Sequence, residues 1–161
     1  MAAQTGRTNQ MWVDFEIDDS GGTLRTIPVD SVNGVGLVYD EVELTAFQDA
    51  IKGALPAHPD VTITISGPFD NTAAAALGTL SGSHTILSAI NGAQTPLTLA
   101  VKIGIRHAWE AGEPVYGITS SATSGFLCFD YQADVDNGKY TAKFRMFPGS
   151  SAPAWGTAAH T

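Results

Sequence analysis

Four histidines, one cysteine, three tryptophans and sixteen carboxylates are the residues of this chain that could do chemistry, and their spacing says whether they converge. His58, His84, His107 and His160 stand far apart, without the HxxxH or CxxC spacing that closes a zinc or catalytic metal site. Asp18-Asp19 and Asp134-Val135-Asp136-Asn137-Gly138 offer oxygens to calcium, yet neither provides the long ligand loop that ends in a bidentate Glu, so turn chemistry explains both. There is no GxSxG, no P-loop and no dinucleotide fingerprint, and Ser66-Gly67-Pro68-Phe69-Asp70 reads as a strand end plus turn rather than a nucleophile elbow. Cys128 is alone, so it forms no intrachain disulfide. Its apolar run Phe126-Leu127-Cys128-Phe129 predicts a buried thiol. Trp12, Trp109 and Trp155 could stack sugars or bases, but they are separated by many elements, and core or interface packing is the simpler role. The expectation is a structural or binding protein with no cofactor, no metal and no catalytic residue, not an enzyme.

The elements that position these residues are mostly strands. Met11 to Ile17 places Val13, Phe15 and Ile17 on one face, and Asp18 to Gly22 turns the chain into a second strand, Thr23 to Val29. Ser31 to Tyr39, with Gly34 and Gly36 in a run of Val and Leu, reads as a strand with a bulge or a close backbone approach. Thr45 followed three residues later by Gln48 forms a capping box, so a helix is expected over Ala46 to Leu55, with Phe47, Ile51 and Leu55 packed as a stripe on the sheet. Pro56 and Pro59 end it, and Val61 to Ser66 alternates as a strand.

Short helices are expected over Ala73 to Leu80 and, capped by Ser83, over His84 to Ile90. Leu97 to Ile103 alternates, with Leu97, Leu99, Val101 and Ile103 inward, and Val115 to Ile118 follows. Asn137-Gly138 joins Phe126–Val135 to Lys139–Phe147 as a hairpin. Its second strand turns Tyr140, Ala142, Phe144 and Met146 one way and Lys139, Thr141, Lys143 and Arg145 the other, as a solvated face or a subunit contact.

At 161 residues the chain has the length of one domain. With 43% apolar residues, 15% charged, eight Pro and seventeen Gly, it fits a β-rich fold with many turns. Met1 to Gln10 is expected as a flexible arm and 148–161 as a flexible tail, both suited to partner contacts. No run reaches the length of a membrane span and no export signal is visible, so the expectation is a soluble protein without a membrane partner. The net charge of −8 argues against adhesive nucleic-acid binding, which draws on Lys and Arg, and suits either solubility or a wall that repels phosphate.

The run Asp40, Glu43, Thr45, Phe47 and Asp49, with Ser66, Gly67, Phe69 and Asp70 closing the later strand, resembles the major tail (tail tube) proteins of long-tailed bacteriophages. The hairpin Phe129 to Phe147 is similar to the closing hairpin of that family, so the resemblance spans Trp12 to Gly149. It implies a mainly β (α+β) fold, a β-sandwich or half-barrel with one flanking helix. It further implies a virion protein, made in the host bacterial cytoplasm, whose hexameric rings stack into a tail tube beside other tail proteins, with DNA passing without tight binding. On that reading Asp14, Glu16, Glu41 and Glu43 are candidate lumen-facing acids, each on a strand opposite an apolar face. The arm, Asn33 to Gly36 and the tail become ring contacts. A capsid decoration or head-tail joining protein is the alternative; a carbohydrate-binding module or small β-fold enzyme has only the Trp residues and scattered carboxylates in its favour.

Overall fold

The computed structural model describes residues 2–8, 11–48 and 50–160. Met1, Asn9 and Gln10 of the expected arm, Asp49 of the quoted run and the closing Thr161 lie outside the described residues.

The first hairpin forms where alternation predicts it, from β1 (Trp12–Asp18) and β2 (Leu24–Ile27). Asp19 closes its turn: one carboxylate oxygen accepts the N–H groups of Gly21 at 2.8 Å and Thr23 at 3.0 Å, while the other accepts from Arg25 at 3.0 Å. These donors and the Arg25 charge outweigh partial burial and hold the Asp19 carboxyl below its ordinary range. The chain continues through β3 (Ser31–Asn33), β4 (Val38–Glu43), β5 (Ala54–Asp60), β6 (Thr62–Pro68), α1 (Ser83–Ile90), β7 (Leu99–Gly104), β8 (Val115–Ile118), β9 (Phe126–Asp134), β10 (Lys139–Met146) and β11 (Ala154–Gly156).

Two antiparallel sheets carry the core, one ordered β11-β8-β7-β1-β2 and the other β3-β6-β10-β9; β4 and β5 pair only with each other. The period-two faces meet between the sheets. Phe15, Ile17, Leu99, Val101 and Tyr116 come from the first, Ile63, Ile65, Tyr140, Ala142, Phe144 and Cys128 from the second, and all are buried in one cluster. Phe15 and Phe144 join the sheets directly, with ring centroids 5.5 Å apart. At one corner Leu97 and Phe126 exchange two backbone hydrogen bonds of 2.9 Å, which turns the sandwich into a half-barrel open elsewhere. Gly117 is required where β8 crosses β7, because a Cβ there would stand 2.0 Å from the Leu99 carbonyl oxygen. Burial pushes the Cys128 thiol up to about 11, so it stays protonated and unreactive.

The flanking helix is α1, not 46–55. It buries Ser83, Ile86, Leu87 and Ile90. Ser83 does not cap it; Gly82 holds the N-cap position, and the Ser83 hydroxyl donates to the Pro68 carbonyl at 2.8 Å while accepting the Asp70 N–H at 3.1 Å, tying the helix to the end of β6. The helix expected at Ala73 to Leu80 is absent. That stretch runs irregularly, turns at 77–78, and is clipped to β2 through the Ser81 N–H on Thr26 O at 2.8 Å and Arg25 on Ala75 O at 2.6 Å.

The expected helix over Ala46 to Leu55 is also replaced, its described residues 46–48 and 50–53 forming a loop that leads into the start of β5. Phe47, Ile51 and Leu55 are 108%, 82% and 57% exposed, so they make no stripe on the sheet. A helix of this length is marginal in water without a surface to bury its apolar face. The Thr45 hydroxyl instead accepts the Gly53 N–H at 3.0 Å, and the Leu44 N–H donates to Gly53 O at 2.9 Å, closing a hairpin. The 148–161 tail is partly held as well, since β11 pairs with β8 through Ala154↔Gly117, Trp155↔Tyr116 and Gly156↔Val115.

Candidate assembly surface

The hairpin β4–β5 projects from the sandwich and is this molecule's most unusual surface. Its register runs Val38↔Asp60, Tyr39↔Pro59, Glu41↔Pro56, Val42↔Leu55 and Glu43↔Ala54, with an irregularity between Tyr39 and Glu41. Gly34 makes the junction possible: it sits at φ +83°, and a Cβ there would stand 1.9 Å from the Thr62 carbonyl oxygen. Every residue of β4 is exposed. Val38, Tyr39, Val42, Leu44, Phe47, Ile51 and Leu55 therefore present seven exposed large apolar side chains on one arm, the kind of surface that marks an interaction site. Arg145 and Asp60, 3.4 Å apart and both half-exposed, meet at its base.

A second feature is an open edge. The start of β9 is covered, since the Gly92 N–H donates to Cys128 O at 2.9 Å, whereas among the described residues 129–134 pairs with β10 alone. Phe129 in that stretch is 57% exposed. A free edge of this length is a template for a strand from another chain.

The four acids singled out by sequence fall on two different surfaces. Asp14 and Glu16 lie on the outward side of the five-stranded sheet, and Glu41 and Glu43 lie on the exposed arm. Glu16 does not serve as a bare wall charge: it is 3% exposed and pairs with Lys102 Nζ at 3.0 Å, because β1 and β7 place Asp14 opposite Lys102 and Glu16 one step along the same face. Burial raises the Glu16 carboxyl above its ordinary value, and Lys102 only partly offsets it. Lys102 also lies 4.7 Å from the centroid of the Trp109 ring.

Sequence reasoning did not find Glu113, which holds that ring in place. Its carboxylate accepts the N–H groups of Ile105 at 3.1 Å and Glu110 at 2.7 Å, and its carbonyl accepts the Trp109 indole N–H at 3.0 Å. The Gln4 N–H is a further donor to the carboxylate, tying the N-terminal segment to this loop. Burial alone would raise the Glu113 carboxyl, but these donors outweigh it and hold it below the usual range. Its contribution to folding is thus complete above the ordinary carboxylate range and is lost as pH falls through the folded value. Protection of the Ile105 and Glu110 amides in hydrogen exchange should persist through the ordinary range and drop only below it. Glu113→Gln should lower the same protection at neutral pH with the far-UV spectrum unchanged. Equal protection in variant and parent would mean the carboxylate does not order the loop.

Trp12 and Trp155 are about half exposed, and the Trp155 ring packs against Tyr116 at 4.9 Å in a tilted arrangement. The histidines do not converge, and among the described residues no group of three or more His, Cys, Asp or Glu could hold a metal ion. Among those residues, too, no helix is long and apolar enough to cross a membrane.

No family profile and no curated protein matches the chain by sequence. Solved structures match it in shape. The sheath/tube terminator of the PVC extracellular contractile injection system, in its extended state, is similar at a TM-score of 0.56 and 10% identity, over 96% of this chain and 99% of that one. The tube-terminating cap of the anti-feeding prophage AFP is similar at 0.54 and 12%, over 98% and 95%. A chain of the PVC sheath-tube complex in the extended state is similar at 0.50 and 12%, over 98% and 93%. At these identities the likeness establishes the fold, a tail-tube-like β architecture spanning both chains nearly end to end.

Proposed function

We propose that this chain is a non-catalytic structural subunit of a phage-tail-like tube, joining copies of itself into rings and meeting the next ring or a terminating component through the β4–β5 arm. The observation that carries the reading is the end-to-end likeness to components of two tail-like particles. The arm and the β9 edge supply what such a subunit needs. An apolar arm and an unpaired strand edge are liabilities in a monomer and contacts in an assembly. Ring closure of open sheets around an axis removes those edges and encloses a lumen. Hexameric rings remain the expectation. Asp14, Glu41 and Glu43 stay as candidate wall acids, and with the net charge of −8 they suit a conduit past which DNA slides without sticking. The localisation that follows is the tail of a virion or of a related particle, alongside other tail proteins.

A terminator role is the second reading, favoured because the similar structures include two terminating components. Negative-stain microscopy of the full chain at high concentration separates the two. A tube subunit should give stacked rings or tubes of uniform width. A terminator should give single rings that do not stack, since one axial face lacks a self-complement. A protein that stays monomeric at every concentration, alone and mixed with tail tubes, contradicts both.

A further inference from the structure

Strand β10 carries Lys139, Lys143 and Arg145 and no acid, whereas β4 carries Asp40, Glu41 and Glu43 and no cation. Three of the chain's eight Lys and Arg thus stand on the exposed face of one strand, and among the described strands no other has more than one. Their own chain uses them lightly. Lys139 meets Asp30 at 2.9 Å and Arg145 meets Asp60 at 3.4 Å, both in solvent-exposed pairs of the kind that contributes little, and Lys143 has no ion pair among the described residues. Across from Lys143 the Asp130 carboxylate accepts from Gln132 Nε2 at 3.0 Å, and on the β6 side Thr64 and Thr62 stand opposite Lys143 and Arg145. On the arm, Glu41 lies opposite Pro56 and Glu43 opposite Ala54, so the two carboxylates share one face with short neighbours while Val42 and Leu55 take the other. Neither Glu has an ion pair within its own chain among the described residues.

We propose that the acidic face of the arm docks on the basic face of β10 in a second copy of this chain, Glu41 and Glu43 meeting Lys143 and Arg145. The spacings match: on each strand the two residues are two apart on one face, roughly 7 Å along it, so both pairs form at once when the strands lie side by side. Arg145 serves an incoming carboxylate without releasing Asp60, because a guanidinium has five donors. Copies that each carry −8 repel one another at long range, so a specific joint needs a local patch of opposite sign, and β10 supplies it. The charges set orientation and register, and the exposed apolar residues of the arm supply area to bury. This proposal rests on the assembly reading and names the receptor for its arm. Glu41 and Glu43 are then taken up at the joint, which leaves Asp14 as the candidate wall acid.

The test is a charge exchange between copies, read by sedimentation and electron microscopy of the full chain. One variant reverses the face (Lys143→Glu with Arg145→Glu) and the other reverses the arm (Glu41→Lys with Glu43→Lys); circular dichroism checks that each keeps the parent's fold. Alone, each should need at least about tenfold more protein than the parent to assemble, because like charges then face each other at every joint. Mixed in equal amounts, the two should assemble at close to the parent's concentration, since the reversed arm of one meets the reversed face of the other. If the doubly reversed face does not fold, Lys143→Glu alone, which breaks no ion pair of its own chain, takes its place in the mixture. Variants that assemble alone as readily as the parent, or a mixture no better than its components, would overturn the pairing and leave the assembly reading standing. A parent chain that never assembles overturns both.

Discussion

Phe144→Ala should destabilise the subunit by about 3–5 kcal/mol, the cost of deleting a buried ring and leaving its cavity. Phe144 is fully buried in the second half of β10, and its ring is one of the two that join the sheets. Little can collapse into the space, because the opposing positions are held by strand register on β1 and β6: Phe15 is fixed opposite Ile27 and Val101, and Ile63 opposite Phe144 itself. For a chain of this length the thermal midpoint should fall by roughly 6–20 °C. Domains are stable by only about 5–15 kcal/mol, so the variant would stand near the limit of folding. Calorimetry or circular dichroism reads the shift. A fall of a degree or less would mean that the two sheets do not share one core.

Substituting Phe47 and Ile51 together by Asp should do the reverse, leaving the monomer intact and abolishing assembly. Both side chains are almost fully exposed at the tip of the arm, and surface changes of this kind usually move stability by no more than about 0.5 kcal/mol. Burying each against a neighbour is worth about 1.5–3 kcal/mol, so losing both costs roughly two to four orders of magnitude in the association constant of each contact. The paired charges add repulsion in an already acidic chain. Sedimentation and electron microscopy should show an unchanged monomer that no longer forms rings or tubes. Assembly equal to the parent's would remove the arm from the interface, and a large loss of thermal stability would show that it packs on its own subunit.

These two variants also mark where local signals served and where they misled. Phe144 lies in a strand of strict period two that follows an Asn-Gly turn, and the strand and its inward face follow from that pattern, whereas the register with β9 shifts between Lys143 and Phe144. Phe47 lies in a segment with a capping box and apolar residues at helical spacing. That pattern only states which helix would form if something were present to cover it. Here the sandwich already fills its core with α1, and the segment pairs β4 with β5 instead. The four polar or acidic-flanked positions of Asp40 to Glu43 and the two prolines of β5 were the legible signs of an outlying hairpin.

By itself the sequence determined the strands β1, β6, β7, β8 and β10, the inward residues of β1, β7 and β10 and the buried thiol, because period-two burial and turn chemistry act over a few residues, while the tail-tube-like class followed from the family resemblance of its motifs. Tertiary structure alone decided which helix survived, that Glu16 is held by Lys102 beneath Trp109, and that Glu113 orders the loop carrying that ring. Those outcomes depend on strands and loops far apart in sequence meeting across a sheet face. There, desolvation and the supply of donors, not local propensity, determine the state of each group.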